Sequence, residues 1–332
     1  MFFPWHRIFL RRFERELQRI DPSIMLPYWD WSYDSQAPEL SVVFRSGFYG
    51  GNGRQDDSCV VDGPFADWAT VYPNTHCLQR KFDQQQRLSA FSGPEALRAL
   101  QEQSRTYQEY RSRFESKPHA QVHIGIGSEF NTMYAVNDPI FWAHHAFVDK
   151  NWAEWQQMRP QNARAFDGTT IEGQSVSIND EIRPFGISVS EVMDTQNLCY
   201  RYADFAPART VNAAGSNVMD ILSQFIPASG GTNTTIVVHE GSPGEQEALP
   251  AAIDRKDLLK LRDTLPIPDD YIAAMGLDRK VVRETEELMS KYTMETNARQ
   301  EYISAAAIIN SPEKLASFAS ESNELIITQP KS

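Results

Sequence analysis

The stretch Asp138-Pro139-Ile140-Phe141-Trp142-Ala143-His144-His145-Ala146-Phe147-Val148-Asp149 decides how this chain is read. An Asp followed by Pro is a helix start: the carboxylate caps orphan N–H groups, and proline at the first helical position gives up a donor that has no intrahelical partner there. The spacing predicts a helix from Asp138 to about Met158. A turn and a half in, it delivers two adjacent histidines among aromatic residues. Simple core packing competes as a reading, but burying two imidazoles costs free energy unless each is satisfied, which favours a metal. Asp149 falls four residues after His145 on the same face, where it can orient a ligand histidine or support a neighbouring helix.

Working outward, the chain holds seven histidines in 332 residues, and His119 and His123 are spaced i, i+4, so one helix face presents both imidazoles. The pair lacks the Glu of His-Glu-x-x-His, so a zinc peptidase would have no general base. With one of the 144/145 pair it makes a three-imidazole set suited to copper or zinc. At the start, Trp5, Phe9, Phe13, Leu17 and Ile20 recur at helical spacing until Asp21-Pro22, predicting a helix with one buried face. His6 lies along it with Leu10 and Phe13, while Arg7 and Glu14 sit on other faces, placed for polar links to adjacent helices.

Between Pro27 and about Phe91 the chain is rich in Trp, Tyr, Gly, Pro and Asp without periodicity, as long packed loops are. Gly93-Pro94 opens a predicted helix to about Phe114, and Pro118 is placed to begin another. Three cysteines are too few for a disulfide scaffold; Cys59 and Cys77 share one irregular segment and are the favoured pair, two unrelated thiols being the alternative. Residues 204–250, rich in Ala, Ser, Gly, Thr and Pro, read as a linker and include the sequon Asn233-Thr234-Thr235, which fits an exported protein. From Asp254 to about Ala307 charged helical patterns return, so 251–332 is expected to be a helical extension.

Net charge is −12, from 32 Lys+Arg against 44 Asp+Glu, which argues against nucleic acid and anionic membranes as partners. No run approaches the roughly 18–20 apolar residues of a membrane span, and the start has the wrong charge order for a signal peptide. Oligomeric state is not legible.

Together these elements resemble the two copper-binding signatures of the type 3 copper proteins: tyrosinases, catechol oxidases, o-aminophenol oxidases and molluscan haemocyanins. The end of the first signature is matched by Phe2, Phe3, Trp5, His6, Arg7 and Glu14, and the second by Asp138, Pro139, Phe141, Trp142, His145 and Asp149. Leu26 to Trp31 resembles the segment after the first copper helix, and Tyr200-Arg201-Tyr202 the Tyr-x-Tyr motif closing the catalytic domain, so the likeness spans residues 1–203.

The resemblance implies a mainly α fold: a four-helix-bundle core with long irregular loops, to which the C-terminal extension is added. It implies His119, His123 and His145 as ligands of one copper, His6 as one of three ligands of a second, His144 beside the site without binding metal, and Glu115 holding a water near it. Two further histidines of the first copper are expected before the Trp-His-Arg run, so the chain is read as starting inside that motif, its second ligand set incomplete. The implied activity is oxidation of o-diphenols to quinones with O2, with monophenols and o-aminophenols as further candidates. Ala120 stands where the family places an Asn that favours monophenols, which tilts the expectation to diphenols. Alternatives are haemocyanin-like O2 binding and an inactive remnant holding at most one copper.

Overall fold

The computed structural model describes residues 1–66, 68–170, 173–202, 258–299 and 302–304. Among these the chain is mainly α. Its helices are α1 (Phe2–Ile20), α2 (Pro94–Gln103), α3 (Tyr107–Phe114), α4 (Ala120–Ile126), α5 (Ile140–Met158), α6 (Val189–Val192), α7 (Asp269–Ala274) and α8 (Arg279–Asn297). The strands pair into two short antiparallel ribbons, β1 (Ala69–Thr70) with β2 (His76–Cys77) and β3 (Glu181–Ile182) with β4 (Ile187–Ser188). The expected linker 204–250, with its sequon and His239, lies outside the described residues.

Residues from α1, α2, α3, α4 and α5 share one aromatic core. Phe3 stacks between Tyr110 and Trp152, with ring centroids 5.4 Å apart on each side, and Tyr110 stacks on Trp155 at 5.0 Å. The helix at the chain start forms as expected, but its buried face is rotated. Phe3, Arg7, Ile8, Leu10 and Arg11 are buried, Trp5 and Phe9 are half-buried, and Ile20 is 85% exposed. Two arginines turn inward because the fold supplies acceptors for them: Asp149 for Arg7 and the Leu198 carbonyl, 2.6 Å away, for Arg11.

The helix expected from Gly93 to Phe114 is two helices. Thr106 caps α3, its hydroxyl accepting from Glu109 N at 3.2 Å, and the Asp167 carboxylate takes Tyr107 N at 2.9 Å. Trp155 and Arg159 donate to the Ser104 carbonyl at the break. Pro118 does not open a helix. It lies within a π-helical turn, Glu115–His119, that joins α3 to α4 as one rod. Proline lacks an N–H and crowds the preceding turn, and a wider turn accommodates both deficits.

The loops before α2 close over α5. Cys59 and Cys77 are disulfide-bonded, with Cα atoms 5.6 Å apart. Arg80, fully buried, holds Asp138 through two bonds of 2.6 and 2.8 Å and also donates to the carbonyls of Tyr49, Gly50 and Gly51. Asp138 accepts from Ile140 N at 3.1 Å, so one carboxylate serves both the loops and the start of α5.

The C-terminal segment packs on the outer side of the α3–α4 rod and on α2. Ala120 is fully buried against Ile267, Tyr271, Ile272 and Val282. Lys117 donates to the Leu265 carbonyl at 2.5 Å, and the Tyr302 hydroxyl donates to Glu95 at 3.0 Å. No helix among the described residues is long and apolar enough to cross a membrane.

Candidate metal centre

The rod and α5 bring His119, His123, His144 and His145 together, each offering a nitrogen within 4.8 Å of the others. His6, from α1, stacks flat on His145 with ring centroids 4.1 Å apart. The π turn matters here because it sets the phase of α4, so that His119 and His123 face inward while Ala120 and Ile124 face the C-terminal segment.

Hydrogen bonds at four of the five rings fix where the proton sits. His6 Nδ1 lies 2.9 Å from the Phe2 carbonyl, His119 Nδ1 3.2 Å from the Glu115 carbonyl, and His123 Nδ1 2.5 Å from the Phe130 carbonyl. A carbonyl only accepts, so in all three Nδ1 carries the hydrogen and Nε2 presents a lone pair. His144 is the reverse. The Trp31 indole N–H, which can only donate, points at His144 Nδ1 from 3.2 Å, so a neutral His144 carries its hydrogen on Nε2. That Nε2 is buried and has no partner among the described residues. His145 Nδ1 is likewise buried without one, while its Nε2 lies 3.4 Å from His123 Nε2.

Burial drives the protonation of all five. His6 and His123 are pushed down to about 4, mainly by burial and in spite of their backbone hydrogen bonds, and burial holds His119, His144 and His145 well below the usual histidine value. The imidazoles are therefore neutral at pH 7. Several nitrogens facing one another, uncharged and dry, are an arrangement a cation completes.

Glu115 stands one turn before His119. Its main-chain carbonyl holds that ring, and its carboxylate is paired with Arg111 at 2.7 Å rather than with Arg113 or Lys117. Asp149 supports helices, not a histidine: it accepts from Arg7 Nε at 2.6 Å and from the hydroxyls of Tyr200 and Tyr202 at 2.5 and 2.6 Å. Arg7 continues to Gln156 and to the carbonyls of Val192 and Met193, and its guanidinium lies 3.7 Å over the Trp152 ring. The Tyr-x-Tyr motif thus has a physical role in tying the chain after α6 to α5. Sequence reasoning named Trp31 only as part of a family-like segment, without a role, and did not single out Phe130 or Arg80. The first acts through a ring N–H and the second through a main-chain carbonyl, neither of which leaves a pattern in residue types.

A helical protein whose core closes on a buried cluster of neutral histidines drawn from facing helices has the form of a metal site built between helices. Residues 1–158 match the common central domain of tyrosinase. The chain is 35% identical over 200 residues to a tyrosinase of Streptomyces antibioticus, covering 55% of this chain and 72% of that one. It is also 35% identical over 215 residues to a tyrosinase of Streptomyces glaucescens, covering 58% and 75%. Among solved structures, a polyphenol oxidase variant from Thermothelomyces thermophila aligns at 20% identity over 61% of this chain and 72% of that one, with a TM-score of 0.48. The chain belongs to the tyrosinase family.

Proposed function

We propose that the chain is a copper-dependent oxidoreductase acting on phenols with O2, and on o-diphenols in preference. The observation that carries this reading is the convergence of neutral imidazoles whose outer nitrogens are held by carbonyls, within a chain of the tyrosinase family. His119, His123 and His145 are assigned to one copper and His6 to a second. His144 is assigned a supporting role, because Trp31 occupies the nitrogen that would otherwise leave Nε2 unprotonated. Copper bound there would supply redox chemistry, since imidazole ligands suit both Cu(I) and Cu(II) and two such ions could together take the two electrons that an o-diphenol gives up.

The chain's own residues do the rest. Carbonyls of Phe2, Glu115 and Phe130 orient the rings, and the surrounding aromatic residues, Phe2, Phe130 and Phe141, keep the cluster dry. Glu115 contributes its carbonyl as built; its carboxylate must leave Arg111 to hold a water. The preference for o-diphenols rests on the family resemblance at Ala120, whose side chain offers no hydrogen bond and packs against Ile267, Tyr271, Ile272 and Val282.

Copper counting after reconstitution tests the assignment. The 332-residue polypeptide is expected to take up about one copper, since three imidazoles fix one ion and His6 alone is too few for another. His145→Ala should abolish that uptake and His144→Ala should retain most of it. Equal loss in both variants overturns the ligand set, and catechol oxidation is expected only from a preparation holding two coppers.

A further inference from the structure

One ring of the cluster is held by a turn that its own backbone does not favour. After α4 the chain reverses at Gly127 and Ser128, both at positive φ, 67° and 49°, and returns as a short 3-10 turn, Ser128–Asn131. This lays the Phe130 ring on His123, with centroids 4.6 Å apart, and aims the Phe130 carbonyl at His123 Nδ1 from 2.5 Å. A serine at positive φ persists only where its surroundings over-determine it. The turn is also pressed against the preceding loop, since a Cβ at Gly127 would collide with the Lys81 carbonyl oxygen.

An ion pair ties this turn to a distant segment. Glu129, next to Phe130 and 3% exposed, meets His76 of β2 through Oε1 and Nε2. His76 Nδ1 donates to the Asn74 carbonyl at 2.6 Å, and a ring with acceptors at both nitrogens is an imidazolium. Strand β2 is a firm base for it: the next residue, Cys77, is bonded to Cys59, and β2 pairs with β1. The other ties to the turn are weaker or local. Ser128 Oγ reaches Gln79 Oε1 only at 3.5 Å, Phe130 N donates to the Gly127 carbonyl inside the turn, and Lys81 N holds the end of α4 through the Ile126 carbonyl. A charge-assisted contact outweighs such neutral bonds.

We propose, on the assignment of His123 to copper, that His76 and Glu129 are positioning residues for that ligand: their ion pair fixes the turn that holds the Phe130 carbonyl on His123 Nδ1. The group on the outer nitrogen of a metal-bound histidine sets the ring's orientation and basicity. Here that group is a main-chain carbonyl, so its place is set by whatever fixes the turn. The other charged group near the pair is Asp138, which is itself held by Arg80; Thr70, Asn74 and Asn137 are neutral. The Asn74 carbonyl first, and Glu129 after it, raise His76 above the ordinary histidine value, while burial raises Glu129. The pair is therefore intact at about pH 6.5 and is lost as pH rises through the raised value of His76.

The test is the affinity of the full chain for Cu2+, measured by competition with a chelator. Removing an outer partner of a metal-bound histidine costs about 10–100-fold in affinity, and the ion pair acts one step farther out. His76→Gln and Glu129→Gln should therefore each weaken binding about tenfold at about pH 6.5, and the double variant no more than either. The deficit of His76→Gln against the parent should fade toward about pH 9, where the parent's own ring is neutral. A contribution to the fold alone would not carry that titration into copper affinity. Parent-like affinity in either folded variant, a deficit that ignores pH, or unfolding of both variants overturns the proposal. His123→Ala in the same assay separates the two levels: copper bound there as in the parent refutes the ligand assignment and the positioning role with it, whereas copper lost there but kept by the pair variants refutes the positioning role alone.

Discussion

Two buried polar regions lie one turn apart on α5, and they differ in what satisfies them. At Asp149 every polar group that faces the carboxylate belongs to the protein: Arg7, Tyr200 and Tyr202 donate to it, and Arg7 passes on to Gln156 and two carbonyls. Around His144 and His145 the protein satisfies only part of the cluster's outside, His145 Nδ1 and His144 Nε2 having no hydrogen bond among the described residues, and it leaves the inside open. The Nδ1 atoms of His6, His119 and His123 have carbonyls, while the nitrogens directed at one another have only each other. The Asp149 carboxylate is paired within the chain and holds the fold, although Arg7 Nη2 beside it has no hydrogen bond among the described residues, whereas the nitrogens turned toward one another in the cluster are ones a cation completes.

The largest expected effect breaks the cluster by pH. Burial holds His6 and His123 at about 4, whereas an unfolded histidine titrates near 6.5. Between those values the unfolded chain binds protons that the folded chain refuses, so the metal-free protein loses stability as pH falls from about 6.5 to about 4, by roughly 3 kcal/mol for each such histidine. Urea unfolding of metal-free protein at pH 7 and pH 5 checks the sign, and a stability that rises on acidification would contradict it.

Asp149→Ala is expected to come next. Removing one partner of a buried ion pair costs about 3–5 kcal/mol, because Arg7 is left charged and fully buried. The midpoint of urea unfolding at pH 7 should drop accordingly. A loss below about 1 kcal/mol, the range of exposed pairs, would show that this region is not the anchor described here.

The smallest effect concerns the outer face of the rod. Ala120→Asn places an amide against Ile267, Tyr271, Ile272 and Val282, at an expected cost of about 1–3 kcal/mol. In a two-copper preparation it should also raise tyrosine oxidation relative to catechol oxidation. An unchanged ratio would locate substrate choice in the loops instead, in keeping with the packing of Ala120 against the C-terminal segment.

Much of the site was legible because its signals are local. The Asp138-Pro139 start, the i, i+4 pair at His119 and His123, the histidines of α5, and two cysteines in one irregular segment are all short-range patterns, and each appears in the structure close to where it was read. Within α1 the helix was legible and its orientation was not. Apolar spacing pointed to Trp5, Phe9 and Ile20, and nothing in the residue types said that Arg7 and Arg11 would be paid for by partners more than 140 positions away. The break at Ser104 was available in the Thr106-x-x-Glu109 cap signature but was masked by the helical residues on both sides.

Sequence by itself determined the helical class, the family and the inventory of imidazoles, because periodicity, caps and motif spacing are properties of neighbouring residues. Only the tertiary structure decided which nitrogen of each ring carries the proton, how the π turn phases His119 and His123 against Ala120, and that His76 meets Glu129 across 53 positions. Those outcomes depend on carbonyls, an indole N–H and a carboxylate brought together from distant segments, and such groups acquire their meaning only when the chain is folded.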